Sequence, residues 1–431
     1  MKRKVLSVLL VAASVVTLAA GCGGNETNVQ TSSEDGELQG EIKVYAWTQM
    51  ATALSDTAER FMEENPGVTV NVEQVDGSYT KLLPELASGV GVPDVFMVQN
   101  TDILSFVKTY EGQIMDVSDI ITSEEDNFVD SAIAACRASD GKYYAVPIDI
   151  GPCGLMYRTD IFEEYGINVE DIKTWDDYIE AGKQILEASD GEIRMTGFNF
   201  NGSTSQDFIK MLFAQQGGSY YNDDGTANLT SEEMLTAAAK LKEMVDAGIM
   251  MDFPDEWNDR ITALNESQIC TLPYAVWYGI VMKDSVADQA GLWGVAPMPS
   301  FDGESGSVSL GGSVLAISEN TEYPEVAKEF VKFSLMDADQ ADIMYAQSQY
   351  QAYKPYWEAE CYKETDEYFG VAMGEVFSQW TDAPEMNFGE YFTDITDALS
   401  TAIGEIYINN ANPADALKTA EETAQAAIDN K

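Results

Sequence analysis

Histidine is missing from all 431 residues, and that absence removes more chemistry than any single residue present suggests. Ser-His-Asp and Cys-His nucleophile activation, His-ligated zinc and imidazole acid–base catalysis are excluded together. Positive charge is scarce: 24 Lys and Arg face 73 Asp and Glu, for a formal net charge of −49. Phosphate backbones are bound through clustered Lys and Arg that release counterions, so no nucleic-acid partner is expected. The same field disfavours anionic ligands and leaves a neutral or cationic solute. Cysteine is sparse at five residues, whose spacings fit no CxxC-type metal site. No metal and no cofactor are expected. From residue 41 onward no apolar run is long enough to cross a bilayer. For an enzyme, only carboxylate pairs or lysine-assisted nucleophiles would remain.

The one long apolar run lies at the start. Lys2, Arg3 and Lys4 precede Val5 to Ala20, and Ala19-Ala20-Gly21 stands directly ahead of Cys22. A charged head, a short apolar stretch and a small-residue cleavage site make an export signal. The arrangement resembles the lipobox of bacterial lipoproteins, with Ala19 where Leu is commonest. That resemblance implies that Cys22 becomes the lipidated N-terminus, held at the membrane by its acyl chains. Loss of the three basic residues takes the charge from −49 to −52. Residues 23–40 are polar and rich in Gly, Ser, Thr and acids, so they bury too little to fold and are expected to form a flexible tether. Cys136, Cys153, Cys270 and Cys361 remain, an even number in an exported chain, and three disulfide pairings are open.

With 410 residues after cleavage, two lobes are expected. EIKVYAW (41–47) and VTVNVEQV (68–75) alternate as strands, and PDVFMVQ (93–99) is a nearly continuous apolar strand. Helices are predicted between them over Thr52–Glu64, stopped by Asn65-Pro66-Gly67, and over Tyr79–Ala87. This strand–helix alternation predicts an α/β doubly wound sheet. Two extended pieces, 143–150 and 153–158, are followed by predicted helices at 160–165, 175–188 capped by Thr174, 205–216 and 231–247. Asp224-Gly225 marks a tight turn, and it is no calcium loop, because Tyr220 and Ser231 fall where ligands belong. Strands return within 291–318, a helix runs from Tyr323-Pro324 to about Met336, and a mostly helical tail closes the chain.

Six phrases in this order resemble the extracellular solute-binding proteins of family 1, which include maltose-binding protein: 87–98, 143–167, 173–185, 213–233, 241–249 and 310–335. The resemblance implies a two-lobe, type II periplasmic-binding-protein-like fold with a cleft between lobes joined by crossover hinge strands. One lobe would comprise 41–148 and about 297–340, the other about 149–296 and 341–431. It implies hinge closure over a solute that is handed intact to an ABC permease. A sugar needs aromatic rings for its C–H faces and fixed polar groups for its hydroxyls. On the family pattern the expected contacts are Trp47, Gln99, Asn100, Asp149, Trp277, Tyr278 and the Gly311-Gly312-Ser313 loop, whose backbone can approach a solute closely. Tyr79, Asn199, Asn201 and Trp380 are secondary candidates. Asp94 is read as a fold organiser and Trp175 as core.

The expected function is therefore that of a lipid-anchored, monomeric, extracellular carbohydrate-binding component of an ABC transporter, with an oligosaccharide as cargo. Two alternatives stand beside it: a secreted glycoside hydrolase using two carboxylates, and the same fold carrying a peptide or polyamine.

Overall fold

The computed structural model describes residues 37–201, 206–304, 306–347, 350–384, 386 and 388–431. Cys22 and the tether up to residue 36 lie outside them. Strand β1 (Gly40–Ala46) pairs in parallel with β2 (Val68–Gln74), from Gly40 opposite Val68 to Ala46 opposite Gln74. The helix Thr48–Glu64 connects them and buries Met50, Ala53, Leu54, Thr57, Ala58 and Phe61 at helical spacing. It begins four residues before the expected Thr52, because Met50 and Ala51 extend its buried stripe to the end of β1. Asn65 ends it, with backbone N–H and side-chain Nδ2 both donating to the Phe61 carbonyl.

The second predicted helix is shorter than expected, covering Leu82–Ser88, because Tyr79 takes a left-handed backbone (φ 57°) that no helix continues through. Gly89, also left-handed, closes it. Strand β3 (Val95–Gln99) is buried from Val95 to Val98, as suits a central strand.

The chain then runs through β4 (Val146–Pro147), β5 (Asp149–Ile150) and β6 (Cys153–Arg158). Strands β7 (Thr196–Phe198), β8 (Met250–Asp252), β9 (Thr271–Ala275) and β10 (Trp293–Ala296) follow, then β11 (Ser313–Ile317) and β12 (Tyr350–Gln351). The first sheet has the order β2-β1-β3-β11-β4, with β11 antiparallel to both neighbours. The second is antiparallel, β10-β6-β9. Strands β7 and β8 form a parallel pair. Helix Trp175–Ala188 begins as expected: Thr174 Oγ1 accepts from the Asp177 N–H, and Asp177 Oδ2 accepts from the Thr174 N–H. Helix Pro324–Met336 also matches its expected limits. The turn at Gly225 (φ 82°) is confirmed by the Tyr221–Ala227 bridge.

The two sheets are joined where segments run side by side. The Leu310 N–H donates to the Gly151 carbonyl at 2.8 Å, and the Cys153 N–H to Val308 at 3.0 Å. A Cβ on Gly151 would stand 1.9 Å from the Leu310 oxygen, so only glycine lets these backbones meet. Strand β12 joins them by pairing with β5, an element too short to read in a tail expected to be helical. Helices Phe392–Tyr407 and Pro413–Asp429 close the chain.

No disulfide forms among the described cysteines, so none of the three open pairings is made. All four are free thiols. Cys136, Cys153 and Cys270 act as small apolar residues in separate niches, with Cys136 Sγ near the Ala132 carbonyl, Cys153 Sγ near Gly151 and Cys270 Sγ beside Met195. Burial pushes the Cys270 thiol up to about 12. Among the described residues no helix is long and apolar enough to cross a membrane.

Candidate functional site

One wall of the cleft is built where β1 ends. Trp47 keeps an extended backbone and is half-buried, and Thr48 after it is left-handed at φ 48°. A β-branched residue rarely tolerates that conformation, which costs about 1–3 kcal/mol unless its surroundings enforce it. Tyr79 packs edge-on against Trp47, ring centroids 5.7 Å apart. Its hydroxyl donates to Asp102 Oδ2 at 2.7 Å and accepts the Gln99 N–H at 2.9 Å. Tyr79 thus braces Trp47 and the end of β3 from behind. Burial raises the Asp102 carboxyl above its ordinary range.

A second wall comes from the end of β9 and the helix Glu256–Asn265. Trp277 is half-buried, and its Nε1 donates to the Leu310 carbonyl at 3.0 Å. Trp257 sits in the first turn of its helix, which is capped by Asp255, and is 49 % exposed. Tyr278, expected as a contact, is instead fully buried. It starts the helix Tyr278–Ser285 and turns inward against Tyr274 and Trp257. One residue of helical rotation separates it from Trp277, and that rotation carries its ring into the core.

The crossover segments form the floor. The Ser313 N–H donates to Asp149 Oδ1 at 2.7 Å. Asp149 is buried, and desolvation raises its carboxyl to about 7 against the opposing pull of the Ser313 N–H. Gly311 and Gly312 adopt φ 81° and 123°. A Cβ on Gly312 would lie 3.0 Å from both Asn100 Nδ2 and the Asp149 carbonyl. Asn100 does not reach the cavity wall as expected. Its N–H donates to Gly312 O and its Nδ2 to Gly311 O, so its donors hold the glycine loop.

These surfaces enclose a cavity of about 350 Å³. Of the residues expected to contact a solute, Trp47, Gln99, Asp149, Trp277, Gly311, Gly312 and Ser313 line it; Asn100 and Tyr278 do not. The sequence reading missed Thr48, Gln49, Met97, Trp257, Ile280, Val281 and Gln347. A tryptophan set in the charged stretch DEWNDR was the available signal for Trp257. Among the secondary candidates, Asn199 is buried and donates to Pro254 O, and Trp380 packs on Phe377. Trp175 is core, as expected, with Nε1 donating to Gln215. Asp94 organises the fold, accepting from the Lys43 N–H and the Thr321 hydroxyl.

A roomier hollow of 890 Å³ runs along helix Trp175–Ala188, but Asp171, Asp177, Glu180 and Glu187 line it and no aromatic ring does. The smaller cavity is the stronger binding site, since three tryptophans and the Gly311-Gly312-Ser313 backbone line it. Its lining includes no Lys or Arg, and Asp149 is its one carboxylate. Among the described residues no cluster of three metal-ligating side chains occurs.

A family model described as bacterial extracellular solute-binding protein matches residues 43–341. An arabinooligosaccharide-binding protein of Halalkalibacterium halodurans is 23 % identical over 418 residues, covering 92 % of each chain. A lactose-binding protein of Rhizobium radiobacter is 25 % identical over 403 residues, covering 90 % of this chain and 93 % of its own. Among solved structures, the ABC transporter associated binding protein of B. animalis subsp. lactis in complex with β-1,6-galactobiose superposes with TM-score 0.75 at 24 % identity, over 90 % of this chain and 97 % of that one. The sugar-binding protein MalE of Xanthomonas citri superposes with TM-score 0.76 at 16 % identity, covering 91 % and 98 %. The fold is thus the two-lobe type II arrangement.

Proposed function

The chain belongs to the bacterial extracellular solute-binding proteins, and from that membership we propose that it captures a neutral oligosaccharide and delivers it to an ABC permease. Its family binds solutes and does not transform them. One observation carries the choice of cargo. Trp47, Trp257 and Trp277 line a cavity that holds no cationic side chain and a single carboxylate. Three flat rings in one cavity suit the C–H faces of linked pyranose or furanose units, and Gln49, Gln99, Gln347 and Thr48 supply donors and acceptors for hydroxyls. Relatives named for arabinooligosaccharide and lactose support the same class. A polyamine would need ionised partners, and burial disfavours the charged form of Asp149. A glycosidase would need two carboxylates flanking one bond. Titration calorimetry against arabinooligosaccharides, lactose and β-1,6-galactobiose tests the proposal; no heat with any mono- or oligosaccharide would remove the carbohydrate assignment.

The first lobe comprises 41–148 and the return from about 297, and the second lobe the intervening residues and the tail. Arg60 pairs with Asp342 at 3.1 Å and Tyr353 donates to Glu124, which supports carrying the first lobe beyond residue 340. The protein acts as a monomer at the outer face of the membrane, tethered through lipidated Cys22. Cys22→Ala would then release it to the medium, and mass spectrometry of the N-terminal peptide would lose the diacylglycerol.

A further inference from the structure

Behind the tryptophans of the second wall lies a buried charge that the cavity does not touch. Arg260 is 4 % exposed and Glu256 is 8 % exposed; they stand one turn apart on the same helix and form an ion pair. The guanidinium lies over two rings, 4.7 Å from the centroid of Tyr274 and 5.3 Å from that of Tyr278. The cavity tryptophans rest on those same rings. Trp257 meets Tyr278 at 5.6 Å, and Trp277 meets Tyr274 at 5.3 Å and Tyr278 at 5.8 Å. Tyr274 is pinned further by its hydroxyl, which donates to Asp207. Neither tyrosine nor Arg260 lines the cavity.

A buried ion pair is a poor way to gain stability, because well-packed apolar residues of equal volume do as well or better. What the guanidinium offers is a plane that stacks on aromatic faces while its fork pairs with a carboxylate. No apolar side chain does both, and lysine keeps only the charge.

We propose that Arg260 is a positioning residue for solute binding, its stacked guanidinium fixing Tyr274 and Tyr278 and through them the ring planes of Trp257 and Trp277 before solute arrives. This rests on the reading of the cavity as a sugar site, where stacking demands a defined ring tilt. A wall already ordered loses less freedom on binding.

The test uses the full chain labelled with 5-fluorotryptophan, with the Trp257 and Trp277 resonances assigned from Trp257→Phe and Trp277→Phe. Arg260→Met alone leaves the Glu256 carboxylate in the core and tests folding as much as positioning. The deciding variants are therefore the double replacement Glu256→Met with Arg260→Met, which removes the pair, and Arg260→Lys, which keeps the charge without the plane. Both are expected to shift or broaden the Trp257 and Trp277 resonances in the solute-free protein while the Trp47 resonance stays in place. The double variant is expected to melt no lower than the parent. With lactose and β-1,6-galactobiose as probes, affinity for whichever binds is expected to fall about ten-fold or more. Unchanged resonances would overturn the proposal, as would parental spectra and affinity in Arg260→Lys, or altered rings with unaltered affinity. If no mono- or oligosaccharide binds the parent chain, the sugar reading fails, while the fluorine spectra still decide whether Arg260 holds the two rings.

Discussion

The Asp149 carboxylate and the Ser313 amide are joined at 2.7 Å across two segments that run between the sheets, the N–H donating to Oδ1. This bond is made at the floor of the cavity, so the same carboxylate ties the crossovers together and lines the cavity. Burial raises its folded pKa to about 7, from 3.8. The folded state therefore holds the proton more tightly than the unfolded chain between those values. The associated stability is present in full below 3.8 and is lost as pH rises through 7. Asp149→Asn removes the dependence while keeping an acceptor for Ser313. Denaturant unfolding of both proteins from pH 4 to pH 8 should show the variant gaining relative to the parent as pH rises, with an upper bound on the order of 4 kcal/mol. Parallel curves would place the titration elsewhere.

Trp47 and Trp277 both line the cavity, so each should contribute to sugar affinity. Replacing either by Ala is expected to weaken binding by about 2 kcal/mol, roughly 30-fold. Calorimetry reads the affinity and thermal melting checks the fold. Tyr278→Phe should leave affinity within about two-fold, since its ring is buried and its hydroxyl makes no contact with the cavity.

Much of this arrangement was legible in the sequence, and the failures have physical causes. The alternation of β1 and β2, the continuous run in β3 and the Thr174 and Pro324 helix starts are local signals, and the structure follows them. Trp277 and Tyr278 are neighbours in sequence, and only the helical rotation at their position decides which one faces solvent. Trp257 sits among charges, a pattern that reads as a solvated face until the rest of the cavity is in view. The cysteines show the same limit, because pairing depends on distances between segments, not on count or compartment.

Thr48 holds a left-handed backbone although it is β-branched, and it lines the cavity next to Trp47. Thr48→Gly should relieve that strain and stabilise the fold by at most about 1 kcal/mol, since the greater freedom of unfolded glycine offsets part of the gain. It should also loosen Trp47 and reduce sugar affinity. Higher melting with lower affinity would mark strain kept for function, whereas unchanged affinity would make it incidental.

Gly151 and Gly312 distinguish two demands on the crossover. At Gly151 the constraint is space, because a Cβ would sit 1.9 Å from the Leu310 oxygen and force the paired segments apart. At Gly312 the constraint is chiefly conformation: φ is 123°, and the nearest atoms are 3.0 Å from an added Cβ. Gly312→Ala should therefore cost about 1–3 kcal/mol in a protein that still folds. Gly151→Ala must also break the Leu310–Gly151 hydrogen bond or displace β6, and should cost more, with poor yields of folded protein. Small-angle scattering with and without a binding sugar should show normal closure in the Gly312 variant and a changed solute-free separation in the Gly151 variant. That contrast would locate the pivot where the two backbones touch, at Gly151, and would assign the Gly311-Gly312 turn to the solute-facing surface.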